Sequence, residues 1–157
     1  CYIVVRREAA KLLYAQNWDL HQEHVPKLVS ALERADMDCG FWIGRALGKH
    51  RCRADWLMEE LGRLLQSDNP GSRYGAVVAI EGLARAPENL RERLCALLND
   101  PSPDIRDAAG VALQAIQRFA AGVPPAEDDD GQRDPPDACR MPMAPSQLDA
   151  ERIAGAC

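Results

Sequence analysis

Aromatic side chains are scarce in this sequence: three Trp, three Tyr and two Phe make up 5% of its 157 residues. Its core must therefore be largely aliphatic, and any ring that stands at the surface is chemically conspicuous. Histidine is equally scarce (His21, His24 and His50), and the six cysteines (Cys1, Cys39, Cys52, Cys95, Cys139, Cys157) contain no C-x-x-C pair. Their long, irregular spacing in so helical a composition fits reduced thiols in a cytoplasmic protein better than a secreted disulfide framework. No apolar run is long enough to cross a bilayer, since the stretch around Gly75–Leu83 is short and broken by Glu81. The start, Cys1-Tyr-Ile-Val-Val-Arg-Arg, has neither an initiator Met nor the order of a signal peptide, as expected of a chain that begins inside a longer product.

Catalytic signatures are missing as well. There is no G-x-S-x-G, P-loop, G-x-G-x-x-G or H-E-x-x-H. Paired carboxylates such as Glu59-Glu60 are spaced like helix surface charges. His21 and His24 stand three residues apart, and Cys39, His50 and Cys52 could add ligands. Solvated imidazoles and thiols in core spaces are the simpler account, so no metal and no cofactor is expected.

What is present is uneven. The formal net charge is −5, yet residues 1–121 hold 16 basic and 16 acidic groups, whereas residues 122–157 hold 3 and 8. A neutral body excludes the global basic footprint of a protein that coats nucleic acid, while leaving room for a local basic patch. Ala (24) and Leu (17) together outnumber Val and Ile (14) about threefold, which favours helix because β-branched side chains lose rotamer freedom there.

The helices repeat. A shift of 33 residues lays Leu64-Leu65, Pro70, Arg73, Ala76, Ala79 and Ile80 on Leu97-Leu98, Pro103, Arg106, Ala109, Ala112 and Leu113. A further shift lays Ala31-Leu32, Ile43, Ala46 and Leu47 on the same apolar positions, although Met37 replaces the proline and Gly40 the arginine. At the start, Val5 to Leu13 matches Ile105 to Leu113 at a shift of 100, like the second half of a repeat whose first half is absent. Each unit reads as a Leu-rich first helix, a turn and an Ala-rich second helix. First helices are predicted near 22–35, 54–66 and 88–99, and second helices near 2–16, 38–49, 71–85 and 104–120.

The stretch Leu97-Leu-Asn-Asp100-Pro101-Ser-Pro103-Asp-Ile105-Arg106-Asp-Ala-Ala109 resembles a HEAT repeat, in particular the short bacterial kind also found in phycobilin lyases and in many scaffold proteins. The resemblance covers residues 1 to about 121. It implies an all-α, right-handed α-solenoid of about three and a half helical hairpins. It also implies that an Asp in the turn and an Arg on the second helix link neighbours, a role falling on Arg6, Asp68, Arg73, Asp100 and Arg106. Gly40 departs from the pattern, so looseness or a functional substitution is expected there. Two enzyme readings come with the resemblance, a bilin lyase-like activity and a DNA-glycosylase-like one in a basic and aromatic groove.

Residues 122–157 change character. The segment from Gly122 to Asp137 is rich in Pro and Asp and too poor in apolar groups to fold alone, so a flexible acidic tail is expected. Residues 146–155 could form a short helix capped by Ser146. The run Asp128-Asp129-Asp130 could occupy a basic groove by mimicking an acidic ligand.

The most specific local signal is Arg45-Ala-Leu-Gly-Lys49-His50-Arg51-Cys-Arg53, four permanent positive charges following Phe41-Trp42. Charge beside aromatics suits phosphate, nucleic acid or an acidic peptide. In stacked repeats the second helices line the concave face. Repeat register then places Phe41, Trp42, Arg45, Lys49, Tyr74 and Glu81 on it as a partner-binding set, with exposed rings as anchors and Arg51 and Arg53 as a basic patch. A noncatalytic scaffold for a protein partner is the expected function, with nucleic-acid binding as the rival. The apolar Tyr2-Ile3-Val4-Val5, with Leu12 and Leu13, suggests a homodimer through the N-terminal end.

Overall fold

A computed structural model describes residues 2–15, 22–49 and 55–122, with side chains from Arg7 onward in the first of these stretches. They form seven α-helices and no strand: α1 (Tyr2–Ala15), α2 (Val25–Leu32), α3 (Met37–Lys49), α4 (Asp55–Leu64), α5 (Pro70–Leu83), α6 (Glu88–Leu97) and α7 (Pro103–Ala120). Turn chemistry fixes where they begin. Asn69 stands at the N-cap of α5 and its side chain accepts the Gly71 N–H at 3.0 Å, while Pro70 occupies the first turn, where a missing N–H costs least. Pro103 does the same for α7. There the side chain of Asp100 accepts the Ser102 N–H at 2.9 Å.

Helices α2–α3, α4–α5 and α6–α7 pack as hairpins, and α1 lies alone against α3. The second helices α1, α3, α5 and α7 each touch the next, and α2, α4 and α6 make the other layer. This is an α-solenoid. Its core lies between the layers, with Leu32, Leu57, Leu61, Leu64 and Leu94 meeting Leu47, Val77, Ile80, Ile105 and Ala112, all almost wholly buried. Each large aliphatic side chain so buried contributes about 1.5–3 kcal/mol relative to exposure.

The junction at Gly40, where looseness was expected, is closely packed. Gly40, Gly44 and Gly48 recur every four residues on α3 and face Gly71, Gly75 and Gly82 of α5. A Cβ at Gly40 would lie 2.3 Å from the Gly71 carbonyl oxygen, and one at Gly44 would lie 2.3 Å from that of Gly75. With no side chains between them the two backbones meet directly. Polar groups complete the junction: Ser72 Oγ donates to the carbonyls of Leu32 and Glu33 at 2.9 and 3.0 Å, and Asn69 Nδ2 donates to that of Ala35 at 2.9 Å. These bonds pair the carbonyls of Glu33 and Ala35 just past α2 and give a second donor to that of Leu32, which also accepts the Ala35 N–H at 3.2 Å.

Candidate partner-binding surface

Closure of α3 on α5 decides the fate of two expected anchors. Phe41 and Tyr74 are buried, at 5% and 8% exposure, which corrects the expectation that they project as surface rings. Repeat register turns them away from their own hairpins, but the glycine contact brings the neighbouring helix close enough for each ring to rest on the other. Their centroids are 6.2 Å apart with planes 21° from parallel. Phe41 also meets Trp42 edge-on at 5.0 Å, and Trp42 meets Tyr14 of α1 at 5.7 Å. Four rings thus run from α1 across α3 to α5.

The half-buried part of this row carries charge. Trp42, Arg45 and Lys49 occupy successive turns of α3 on the stripe that faces α1, and Lys11 and Tyr14 answer from α1. Lys11 Nζ stands 5.6 Å from the Trp42 ring centroid. Tyr14 serves both cations of α3. The Arg45 guanidinium is 5.3 Å from its ring and donates to its hydroxyl at 3.0 Å, while Lys49 Nζ is 4.8 Å from the ring and donates to its backbone carbonyl at 3.3 Å. Trp42 Nε1 is buried without a hydrogen-bond partner. The expected set missed Lys11 and Tyr14, although the spacing Arg7, Lys11, Tyr14 puts them on one face of a helix.

At the far end of this seam Arg7 Nη1 lies 3.8 Å from Asp38 Oδ2, while Asp38 Oδ1 is buried with no hydrogen bond. Burial pushes the Asp38 carboxyl above its ordinary value. The Arg7 and Lys11 charges offset part of this, and nearby Asp36 adds to it. A carboxyl whose folded pKa is raised makes the fold more stable when protonated, so at neutral pH ionised Asp38 costs stability. Asp38→Asn is therefore expected to melt at a higher temperature than the parent at pH 7, with the gain shrinking as pH falls and the parent protonates. A lower melting temperature at pH 7 would mean that the Arg7 contact outweighs burial.

The other junctions use different chemistry. Arg73 makes a forked pair with Asp100, Nε to Oδ2 at 2.8 Å and Nη2 to Oδ1 at 3.1 Å, tying α5 to the turn before α7. Its Nη1 donates to the carbonyls of Ser67 and Asp68, and Arg106 Nη1 repeats this geometry on Asp100 and Pro101. Burial alone would raise Asp100. The hydrogen bonds from Arg73 and from the Ser102 N–H, with the charges of Arg73 and Arg106, overcome it and hold the carboxyl below its ordinary value. Asp68 is exposed and enters through its backbone carbonyl.

Glu81 is half-buried toward the end of α5, and Trp56 stands in the other layer on α4. The side chain of Arg6, together with Arg51, Arg53, His21, His50, Cys52, the side chains of Tyr2 to Val5, the Asp128–Asp130 run and residues 146–155, lies outside the described residues. Among the described residues no three His, Cys, Asp or Glu are grouped to hold a metal ion, and no helix is long and apolar enough to cross a membrane. A concavity of about 800 Å3 lies where α4, α6 and the end of α7 meet. Two of its cations serve the fold, since Arg93 donates to the Gly62 carbonyl at 2.6 Å and Arg91 lies 3.6 Å from Glu88.

Residues 90–120, spanning α6 and α7, match the family model of the HEAT repeat. Comparison with curated proteins gives no match. The matched unit is the structural repeat itself, and it names no activity.

Proposed function

This chain is a HEAT-like repeat protein, and from that premise we propose that it is a noncatalytic scaffold binding a protein partner on the face formed by its second helices. HEAT repeats are commonly protein-interaction scaffolds, because a stack whose neighbours bury each other's apolar surface leaves one continuous face for a partner. The observation that carries the reading is the cluster of Lys11, Tyr14, Trp42, Arg45 and Lys49. It joins the half-buried Trp42 ring and the buried Tyr14 ring to partly exposed cations, and aromatic and Arg side chains together dominate the energetics of protein interfaces. Phe41 and Tyr74 enter as the packed support beneath this cluster.

The test uses Arg45→Ala/Lys49→Ala in the full chain. Helical content should be retained and affinity for captured partner proteins should fall about tenfold or more. Unchanged affinity in a folded variant would remove this face from consideration. Tyr74→Ala is unsuited to the purpose, because truncating a buried ring would cost stability first.

A further inference from the structure

Resting on the scaffold reading, we propose that the seam between α1 and α3 recognises an acidic peptide segment of its partner, laid along the row Arg7, Lys11, Arg45 and Lys49. The described side chains in and beside this seam bring four cations against three carboxylates. Asp38 is buried at the end of the row, Asp36 beside it accepts the Cys39 N–H at 2.8 Å, and Glu8 is held by Arg7 at 3.1 Å and Lys11 at 3.4 Å. The lysines rest on aromatic faces: Lys11 on Trp42 and Lys49 on Tyr14. A cation held over a ring keeps ammonium hydrogens for an incoming carboxylate, and the contact costs little to retain, being worth about 0.5–1 kcal/mol at exposed sites.

Length and charge balance favour a peptide. From Asp38 to Lys49 the helix rises about 16 Å, which matches about five residues of extended chain. Nucleic acid asks for a broader basic field, and the body as a whole carries equal numbers of acids and bases.

Fluorescence anisotropy tests this with the full chain and three labelled probes: a dodecapeptide of Glu, Asp and Leu, its Gln/Asn counterpart, and oligothymidylate of equal length. Saturable binding of the acidic peptide at low salt is expected, about tenfold or more tighter than its neutral counterpart. It should weaken about tenfold in Arg45→Gln/Lys49→Gln, with the melting temperature retained. Should that pair melt early, Lys11→Gln on the opposite helix gives the same reading. Equal affinity for the two peptides, indifference to both variants, or tighter binding of the oligonucleotide would overturn the proposal. If partner capture depends on Arg45 and Lys49 while the acidic peptide fails to bind, the scaffold reading stands and the acidic partner falls.

Discussion

Replacing Gly44 with alanine is expected to destabilise the protein by about 2–3 kcal/mol, the reverse of what a helix interior normally returns for that change. In an unconstrained helix the substitution gains up to about 1 kcal/mol, because glycine loses the most backbone freedom on folding. At Gly44 the new methyl would lie 2.3 Å from the Gly75 carbonyl oxygen and 3.0 Å from Val78 Cβ. The nearest obstacle is backbone, so relief requires α3 and α5 to move apart. That movement loosens the Phe41–Tyr74 stack and the core beneath it, which is the cost of overpacking a close-packed interior. Gly110→Ala on α7 is the matched control. The nearest atom there is Leu98 Cδ2 at 4.0 Å, and a gain of about 0.5–1 kcal/mol is expected. Thermal unfolding of the two variants beside the parent reads both signs; equal effects would deny the backbone contact.

Arg73→Ala should cost about 3 kcal/mol at neutral pH. The Asp100 side chain is only 4% exposed and Arg73 supplies both arms of its ion pair. Removing one partner of a buried pair is costly chiefly because the remaining charge is left uncompensated. Asp100 lies below its ordinary pKa in the fold, so its ionised form stabilises the protein above the unfolded-state value. That contribution is lost as pH falls through the folded pKa. Parent and Arg73→Ala should therefore differ most near neutrality and converge in acid. A constant difference across the range would show that Arg73 acts through the Ser67 and Asp68 carbonyls alone.

Much of this architecture was legible in the sequence because it repeats. The 33-residue shift placed second helices near 71–85 and 104–120, and α5 and α7 run Pro70–Leu83 and Pro103–Ala120. Prolines and the Asp and Asn of the turns carry local chemistry that survives the move from chain to fold. Contacts between repeats were harder to read. Gly40 looked like a lost arginine, whereas the i, i+4 series Gly40, Gly44, Gly48 and its counterpart on α5 define the closest junction in the stack. Phe41 and Tyr74 were placed off their own hairpin cores, but periodicity within one helix says nothing of how near the next will come. In the first repeat a shift of 100 points to Arg6, whose side chain lies outside the described residues. Strict phase, three periods of 33, selects Arg7, whose side chain approaches Asp38. One residue turns a side chain by about 100° around a helix, enough to exchange one face for another.

Helix α3 connects architecture to proposed function. Its glycine face fixes α5 in place and stacks the buried rings, while its adjoining stripe presents Trp42, Arg45 and Lys49 to α1 and to solvent. The Trp42 indole N–H, buried without a hydrogen-bond partner on that stripe, is a natural reporter. Its resonance can be followed by NMR as the acidic dodecapeptide is added to the full chain, with the indole of Trp56 in the other layer as internal reference. Recognition on the α1–α3 seam predicts a saturable shift of the Trp42 signal while that of Trp56 stays in place. Movement of Trp56 alone, or of neither, would contradict it.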